Sequence, residues 1–374
     1  MLIIVHFSYV PNTASTNRLI SYLVNVPKEI KCRVFFIMPD EHGSMWHNNL
    51  ENVQVIYCWK KFPAKFKLWR IVTFKRSLKF IKNSLSAGDV VYVYDTISVV
   101  EHIRKSDVKY YGEKTEHPAV TSLVSRLVKQ NMQQHLDSLK RLDGVFVISN
   151  ALKEYYVSKG VENKKVHVIN MTVDSARFEN IKRQSQSEKY IAYCGTVSKS
   201  KDGVDKLLRA FAIVAQKVQE IKLYIIGPIP IIEERQEFSD FVKKFDLTER
   251  VVFMGVVPAN EIPQMIKNAE LLALARPANV QAKYGFPTKL GEYLLSGTPV
   301  VLTKVGDIPL FLEDEVSALM SSPNSDDEFA EKIVWALNNK EKAAIIGKKG
   351  ADVAMTHFNA KIETKKLLEV MVGN

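Results

Sequence analysis

Short runs of apolar, β-branched and aromatic residues bounded by turn formers recur along the first half of the chain. They lie at Leu2 to Phe7, Arg33 to Met38, Val53 to Tyr57, Val90 to Tyr94 and Gly144 to Ile148. Helix-like segments separate most of them, an alternation that predicts a mainly parallel sheet covered by helices. A polar stretch from Asn180 to Glu188 (NIKRQSQSE) then interrupts the pattern and is the best linker candidate. Beyond it the pattern restarts more cleanly. Tyr190 to Cys194, Leu223 to Ile226, Val251 to Met254, Leu271 to Ala275 and Pro299 to Thr303 are almost wholly apolar, as strands buried on both faces are. Between the first two of these, Val204, Leu207, Leu208, Phe211, Val214 and Ala215 keep the spacing of an amphipathic crossover helix.

The 374 residues suit two domains better than one. The expected fold class is therefore α/β, with two Rossmann-like doubly wound domains facing across a cleft. Residues 1–180 would form the first and 189–356 the second, with a C-terminal helix at 357–374 as the candidate to complete the first. Such domains present the C-terminal ends of their strands as binding edges, and function is to be sought there.

Composition narrows the classes. Cys32, Cys58 and Cys194 are scattered, which gives neither a disulfide framework nor metal-ligand spacing and fits a reducing, cytoplasmic compartment. The opening MLIIVHF lacks a basic leader region, and no apolar run approaches the roughly 18 residues that span a bilayer, so neither a secreted precursor nor an integral membrane protein is expected. The net charge of +11 is uneven, because 26 of the 52 Lys and Arg but only 16 of the 41 Asp and Glu lie up to Asn180. Basicity concentrates from Lys60 to Lys82. There Lys60, Lys61, Lys65, Lys67, Arg70, Lys75, Arg76, Lys79 and Lys82 alternate with Phe62, Phe66, Trp69, Phe74 and Phe80, with no acid between. Such a stretch can lie on an anionic membrane surface, and it equally fits a helix with a core face and solvated cations. Nucleic acid is not expected as a partner, since no helix-turn-helix, zinc-finger or RNP pattern accompanies the charge.

The most informative segment is YGFPTKLGEYLLSGTPVV, Tyr284 to Val301. Gly285 and Phe286 would make a tight loop, and Pro287 suits the first turn of a helix because its missing N–H is not needed there. Amides at that helix start, with the helix dipole, can hold a phosphate or sugar hydroxyls. Glu292, one to two turns on, could accept both ribose hydroxyls of a nucleotide. Gly297 ends the helix and Pro299 opens the next strand. The same pattern also fits a plain helix-to-strand unit carrying a surface glutamate.

This segment resembles the donor-site signature of family 4 of the retaining glycosyltransferases, which have the GT-B fold. In that signature a Glu, seven residues and a second Glu precede an A/S-G-x-P-V-V ending. Here Glu292 and SGTPVV match, Tyr284 stands at the first Glu position, and GFPTKLGEYL with Lys289 is similar to a polysaccharide-assembly branch of the family. A second match is YCGTVSKSKDGVDKLL, Tyr193 to Leu208. It implies a loop after Gly195 in which Lys201 meets the donor pyrophosphate, Thr196 replaces a common Arg, and Lys199 is a substitute contact. VVFMGVVP implies that backbone at Val256 and Val257 reads the base. DGVFVISNALKEYYVSKGV, Asp143 to Val161, with NMTVD, Asn170 to Asp174, resembles the family's domain-closing segment. The loop Pro11 to Arg18 matches the acceptor side, which implies Asn12, Thr16, Asn17 and Arg18 as acceptor-binding residues. Glu113, Glu116 and His117, around TEHP, stand where related enzymes touch the reacting sugar, and no unique choice among them follows.

The resemblance thus implies a retaining glycosyltransferase that moves a sugar from a UDP- or GDP-sugar to a glycan or lipid-linked glycan acceptor in surface polysaccharide biosynthesis. Beyond the nucleotide-sugar donor no cofactor is expected. No metal is expected either, since neither H-E-x-x-H nor Asp-x-Asp occurs. The enzyme would sit in the cytoplasm, peripherally on the inner face of the membrane. Alternatives are a nucleotide-sugar 2-epimerase of the same fold and a non-catalytic nucleotide-binding scaffold.

Overall fold

The computed structural model describes residues 1–38, 43–59, 67–120 and 131–373. By contact, the chain divides into two compact units, Met1–Met171 with Ala360–Asn374, and Thr172–Asn359.

Among the described residues the first unit holds a seven-stranded sheet of β1 (Leu2–His6), β2 (Cys32–Phe36), β3 (Val53–Tyr57), β4 (Val90–Tyr94), β5 (Lys109–Lys114), β6 (Gly144–Val147) and β7 (Val166–Val168). Its order is β3-β2-β1-β4-β5-β6-β7 and all pairings are parallel. The second unit holds β8 (Lys189–Cys194), β9 (Ile221–Ile226), β10 (Val251–Gly255), β11 (Leu271–Leu274), β12 (Val300–Thr303) and β13 (Leu319–Ser321). Their order is β10-β9-β8-β11-β12-β13, again parallel throughout. Each sheet is doubly wound, with order reversing beside its first strand, as the alternation of apolar runs predicts. Strands β7 and β13, three residues each, are too short for periodicity to reveal.

The crossover helix expected after β8 spans Val204–Lys217 and buries Val204, Leu207, Leu208, Phe211 and Val214. Burying a leucine or phenylalanine in this way contributes about 1.5–3 kcal/mol each. The helix begins at Gly203, whose φ of 65° lies in the left-handed region and whose Cβ would fall 2.0 Å from the Ala275 carbonyl oxygen. Only glycine allows this approach of the first crossover to the end of β11.

The boundary between units falls at Thr172, ahead of the polar stretch that the sequence suggests as linker. Val173 ties this segment to the second unit by donating its amide to the Phe358 carbonyl at 2.8 Å. The final helix, Ala360–Val372, returns to the first unit. Its Leu367, Leu368 and Met371 share a core with Leu2, Leu19, Tyr22 and Val34, and its buried Glu363 accepts the Asn170 amide at 2.8 Å.

The basic helix spans Lys67–Ser84. Thr73, Phe74, Ser77, Leu78 and Ile81 are buried, whereas Arg70, Ile71, Lys75, Arg76, Lys79, Phe80 and Lys82 are exposed. Core and solvent faces therefore coexist on one helix. Lys60, Lys61, Phe62, Lys65 and Phe66, and the side chains of Lys67 and Trp69, lie outside the described residues. Among the described residues no helix is long and apolar enough to cross a membrane.

Candidate donor site

In a doubly wound sheet the connections leaving the two strands at the order reversal diverge and open a crevice at their C-terminal ends. In the second unit these strands are β8 and β11. After β8 the chain passes Gly195 and Thr196 into a short helix, Lys199–Asp202, whose N-cap Ser198 side chain accepts the Lys201 amide. After β11 comes Arg276, only 2% exposed. Its Nε donates to the Lys201 carbonyl at 3.2 Å and lies 3.8 Å from Asp202 Oδ1. The two loops are thus joined.

A third element, the helix Thr288–Leu295, delivers Lys289 to the same point. Its ammonium forms an ion pair with Asp202 and donates to the Tyr193 hydroxyl at 3.1 Å. That hydroxyl in turn lies 2.8 Å from Asp202 Oδ2. Gly195, with φ of 151°, makes the crossing possible, because a Cβ there would fall 2.4 Å from Lys289 Cε. Burial alone would raise the Asp202 carboxyl. The charge and hydrogen bond of Lys289, with Arg276 and Tyr193, hold it below the usual carboxylate range. Burial draws the Lys289 ammonium below its ordinary value, helped by the neighbouring charges of Lys201 and Arg276, against the pull of Asp202. Desolvation pushes the Cys194 thiol up to about 11, so it stays protonated and unreactive at neutral pH.

Glu292 lies on the same helix as Lys289, and its Oε1 pairs with Arg177 Nη1. Arg177 ends the short turn Ser175–Arg177, and its Nη2 donates to the Ala259 carbonyl at 3.1 Å. Ala259 belongs to the loop after β10 that also carries exposed Val256 and half-buried Val257. Around the ends of β8, β10 and β11 the unit therefore gathers Arg177, Lys201, Arg276 and Lys289 against Asp202 and Glu292, an excess of positive charge suited to an anion.

Several expected residues stand elsewhere. Pro287 occupies the N-cap of its helix, one position before the first turn where the sequence places it. Phe286 is buried against Phe311 and Phe358, with ring centroids 5.7 and 5.2 Å away, so its side chain belongs to the core. Tyr284, at the first Glu position of the signature, ends the short helix Val280–Tyr284, with the Lys283 ammonium 5.1 Å above its ring. Lys199 points to Glu237, at 2.5 Å, on the helix Ile232–Lys244. Thr196 and Lys201 are exposed. Asp202, Tyr193, Arg276 and Arg177 are the members that motif reading misses. The adjacency of Asp202 to Gly203 and of Arg276 to the end of β11 are the signals that could have found two of them.

The first unit presents a different picture. Glu113, fully buried, receives Arg18 Nε at 2.5 Å and the Tyr92 hydroxyl, with the Tyr22 hydroxyl 3.3 Å away. Arg18 spends its other nitrogens on the carbonyls of Ile169 and Asn170, both at 2.8 Å. These two residues therefore form a core network. Thr16 is also buried and accepts the Thr13 hydroxyl at 3.1 Å, while Asn12 and Asn17 are exposed. Glu116 and His117 are half-buried beyond β5. The His117 ring meets Tyr155 edge to face at 4.3 Å, and burial, then the Lys159 charge, lower its pKa. Among the described residues no group of three or more His, Cys, Asp or Glu side chains could hold a metal ion.

Residues 174–353 match the model of the family described as glycosyl transferases group 1. An uncharacterized glycosyltransferase of Methanocaldococcus jannaschii is 25% identical over 199 residues, covering 50% of this chain and 48% of that protein. A GDP-mannose-dependent alpha-(1-6)-phosphatidylinositol monomannoside mannosyltransferase of Mycolicibacterium smegmatis is 23% identical over 201 residues, 53% of this chain and 52% of that protein. The chain spans about half the length of the curated relatives it matches. The crystal structure of HepE from Anabaena in complex with UDP and glucose matches with a TM-score of 0.75 at 18% identity, covering 100% of this chain and 99% of that one, which shows a shared fold.

Proposed function

From the premise that this chain belongs, through its second unit, to the glycosyl transferases group 1, we propose that it moves a sugar from a UDP- or GDP-sugar to a glycan or lipid-linked glycan acceptor with retention of configuration. The observation that carries the reading is the junction of Gly195, Lys289, Asp202 and Arg276 at the order reversal of the second sheet. There a diphosphate would meet the ammonium groups of Lys201 and Lys289 and the N-terminus of the helix Thr288–Leu295. Glu292 would accept the ribose hydroxyls and the backbone at Val256 and Val257 would face the base. Relatives that bind UDP with glucose, or depend on GDP-mannose, support both nucleotides as candidates.

In this reading the bond between the anomeric carbon and the diphosphate oxygen breaks first, and the electron pair stays on the diphosphate, whose growing charge Lys289 and Lys201 stabilise. The acceptor hydroxyl bonds to the oxocarbenium-like carbon on the face just vacated, and its proton passes to the departing phosphate. No carboxylate nucleophile and no divalent ion are required. Glu116 and His117 remain candidates to touch the sugar, and exposed Asn12 and Asn17 to meet the acceptor. Glu113 and Arg18 do not, because their polar atoms are consumed inside the core. The exposed cations of the helix Lys67–Ser84 would hold the protein to an anionic membrane on the cytoplasmic side, near surface-polysaccharide synthesis.

Titration calorimetry with UDP, GDP and their glucose and mannose conjugates in a chelating buffer tests the reading. Heat is expected with one of the two nucleotides. Heat that appears only after Mg²⁺ is restored removes metal independence alone, and none with either nucleotide under both conditions removes the donor site. A free epimer formed without acceptor would establish the epimerase instead.

A further inference from the structure

Arg177 is a residue that neither the motifs nor the transfer step above employ. It joins two elements by one side chain, with Nη1 on Glu292 Oε1 and Nη2 on the Ala259 carbonyl. The first partner is the carboxylate read here as the ribose acceptor. The second belongs to the loop read as facing the base. A solitary surface ion pair is worth about 0–1 kcal/mol and rarely repays the freezing of a long side chain. This one is different in kind, because both partners are half-buried, with 32% and 27% of the side chains exposed, and the planar fork spans two acceptors at once. A carboxylate has two oxygens and about four acceptor sites, and Arg177 engages Oε1 alone, so Oε2 can still receive hydroxyl hydrogens.

We propose that Arg177 is a positioning residue for the nucleotide. Resting on the donor-site reading, it holds the Glu292 carboxylate at a fixed distance from the base loop, so that a nucleoside with both ribose hydroxyls is selected over one that lacks the 2′-hydroxyl. The pair acts as a ruler between the base contact and the sugar contact. Glu292 projects from a helix and Ala259 sits in a loop, and this one side chain bridges the two. Loss of the fork leaves Glu292 free to rotate, and the affinity that depends on it falls for the ribonucleotide and hardly changes for the 2′-deoxynucleotide.

The test compares the affinity of UDP with that of 2′-deoxy-UDP, or of GDP with 2′-deoxy-GDP if guanine is the base bound, in the full chain. The wild type should prefer the ribonucleotide by about tenfold or more, the scale of a hydrogen bond to a charged group. Arg177→Ala should lose most of that preference, as Glu292→Gln should. Arg177→Lys, which keeps the charge and can satisfy only one of the two acceptors, should fall between. A wild type that discriminates beside an Arg177→Ala protein with the same ratio overturns the proposal and leaves the donor site standing. An equal loss of both affinities with a lowered melting temperature assigns Arg177 to structure alone and overturns it as well. A wild type that binds no nucleotide fails at the earlier reading, and the proposal falls with it.

Discussion

The chain uses the same pair of residue types, Arg and Glu, in two settings. Arg18 and Glu113 in the first unit have side chains 3% and 0% exposed, and every polar atom described on them meets a partner within the core. Arg177 and Glu292 in the second unit are about one-third and one-quarter exposed and leave a carboxylate oxygen available. Sequence distance does not separate them, and neither does residue identity. What separates them is depth. A sealed pair must stay paired because either charge alone would be stranded in a low-dielectric interior, whereas a pair at a rim can trade a partner for a ligand. Lys289 with Asp202 lies between these limits: the Asp202 side chain is 1% exposed, while the Lys289 side chain retains 16% exposure.

The largest effect is expected where depth is greatest. Arg18→Ala leaves Glu113 uncompensated and should destabilise the first unit by about 3–5 kcal/mol, read as an earlier calorimetric transition. An unchanged transition would erase the distinction between the pairs. Next comes Lys289→Gln, which on the proposed reading removes one charged donor from the departing diphosphate. Transfer should slow by about 10²–10³-fold in kcat, the usual loss for one such donor, with a much smaller change in melting temperature. A stability loss equal to that of Arg18→Ala with kcat intact would place Lys289 with the core pair. The smallest effect belongs to cations with no depth at all. Lys75→Glu and Lys79→Glu on the exposed face of the basic helix should each weaken binding to phosphatidylserine vesicles by about 1 kcal/mol or somewhat more and leave nucleotide affinity alone. Binding that does not respond withdraws that face from membrane attachment.

The strands and the crossover helix were legible in the sequence because buried parallel strands are short apolar blocks and helices carry a 3.6-residue stripe. Val53–Tyr57 and Val90–Tyr94 match the expected runs residue for residue. The return of the last helix was anticipated only as a candidate, since nothing in Leu367, Leu368 or Met371 specifies which of two cores they enter. The local placement of Gly195 after a strand and of Lys289 and Glu292 on one helix was legible, because it follows from turn and cap chemistry. Their partners were not. Arg177 stands 115 positions from Glu292 and Asp202 stands 87 from Lys289. Such pairs are chosen by the stacking order of strands, which a one-dimensional pattern does not carry. Arg18 and Glu113 show the converse: motif likeness marked them as site residues, and only burial reveals that the core has claimed both.

The return of the helix Ala360–Val372 to the sheet of Met1–Met171 also dictates a sequence of events on the ribosome. The stretch Thr172–Asn359 is continuous, so it emerges whole and can settle while still tethered. The earlier-made sheet must wait, with Leu2, Leu19 and Val34 uncovered on one side, until Leu367 and Met371 leave the exit tunnel. What is synthesised first is finished last, and that half is sealed only once the helix Ala360–Val372 has emerged.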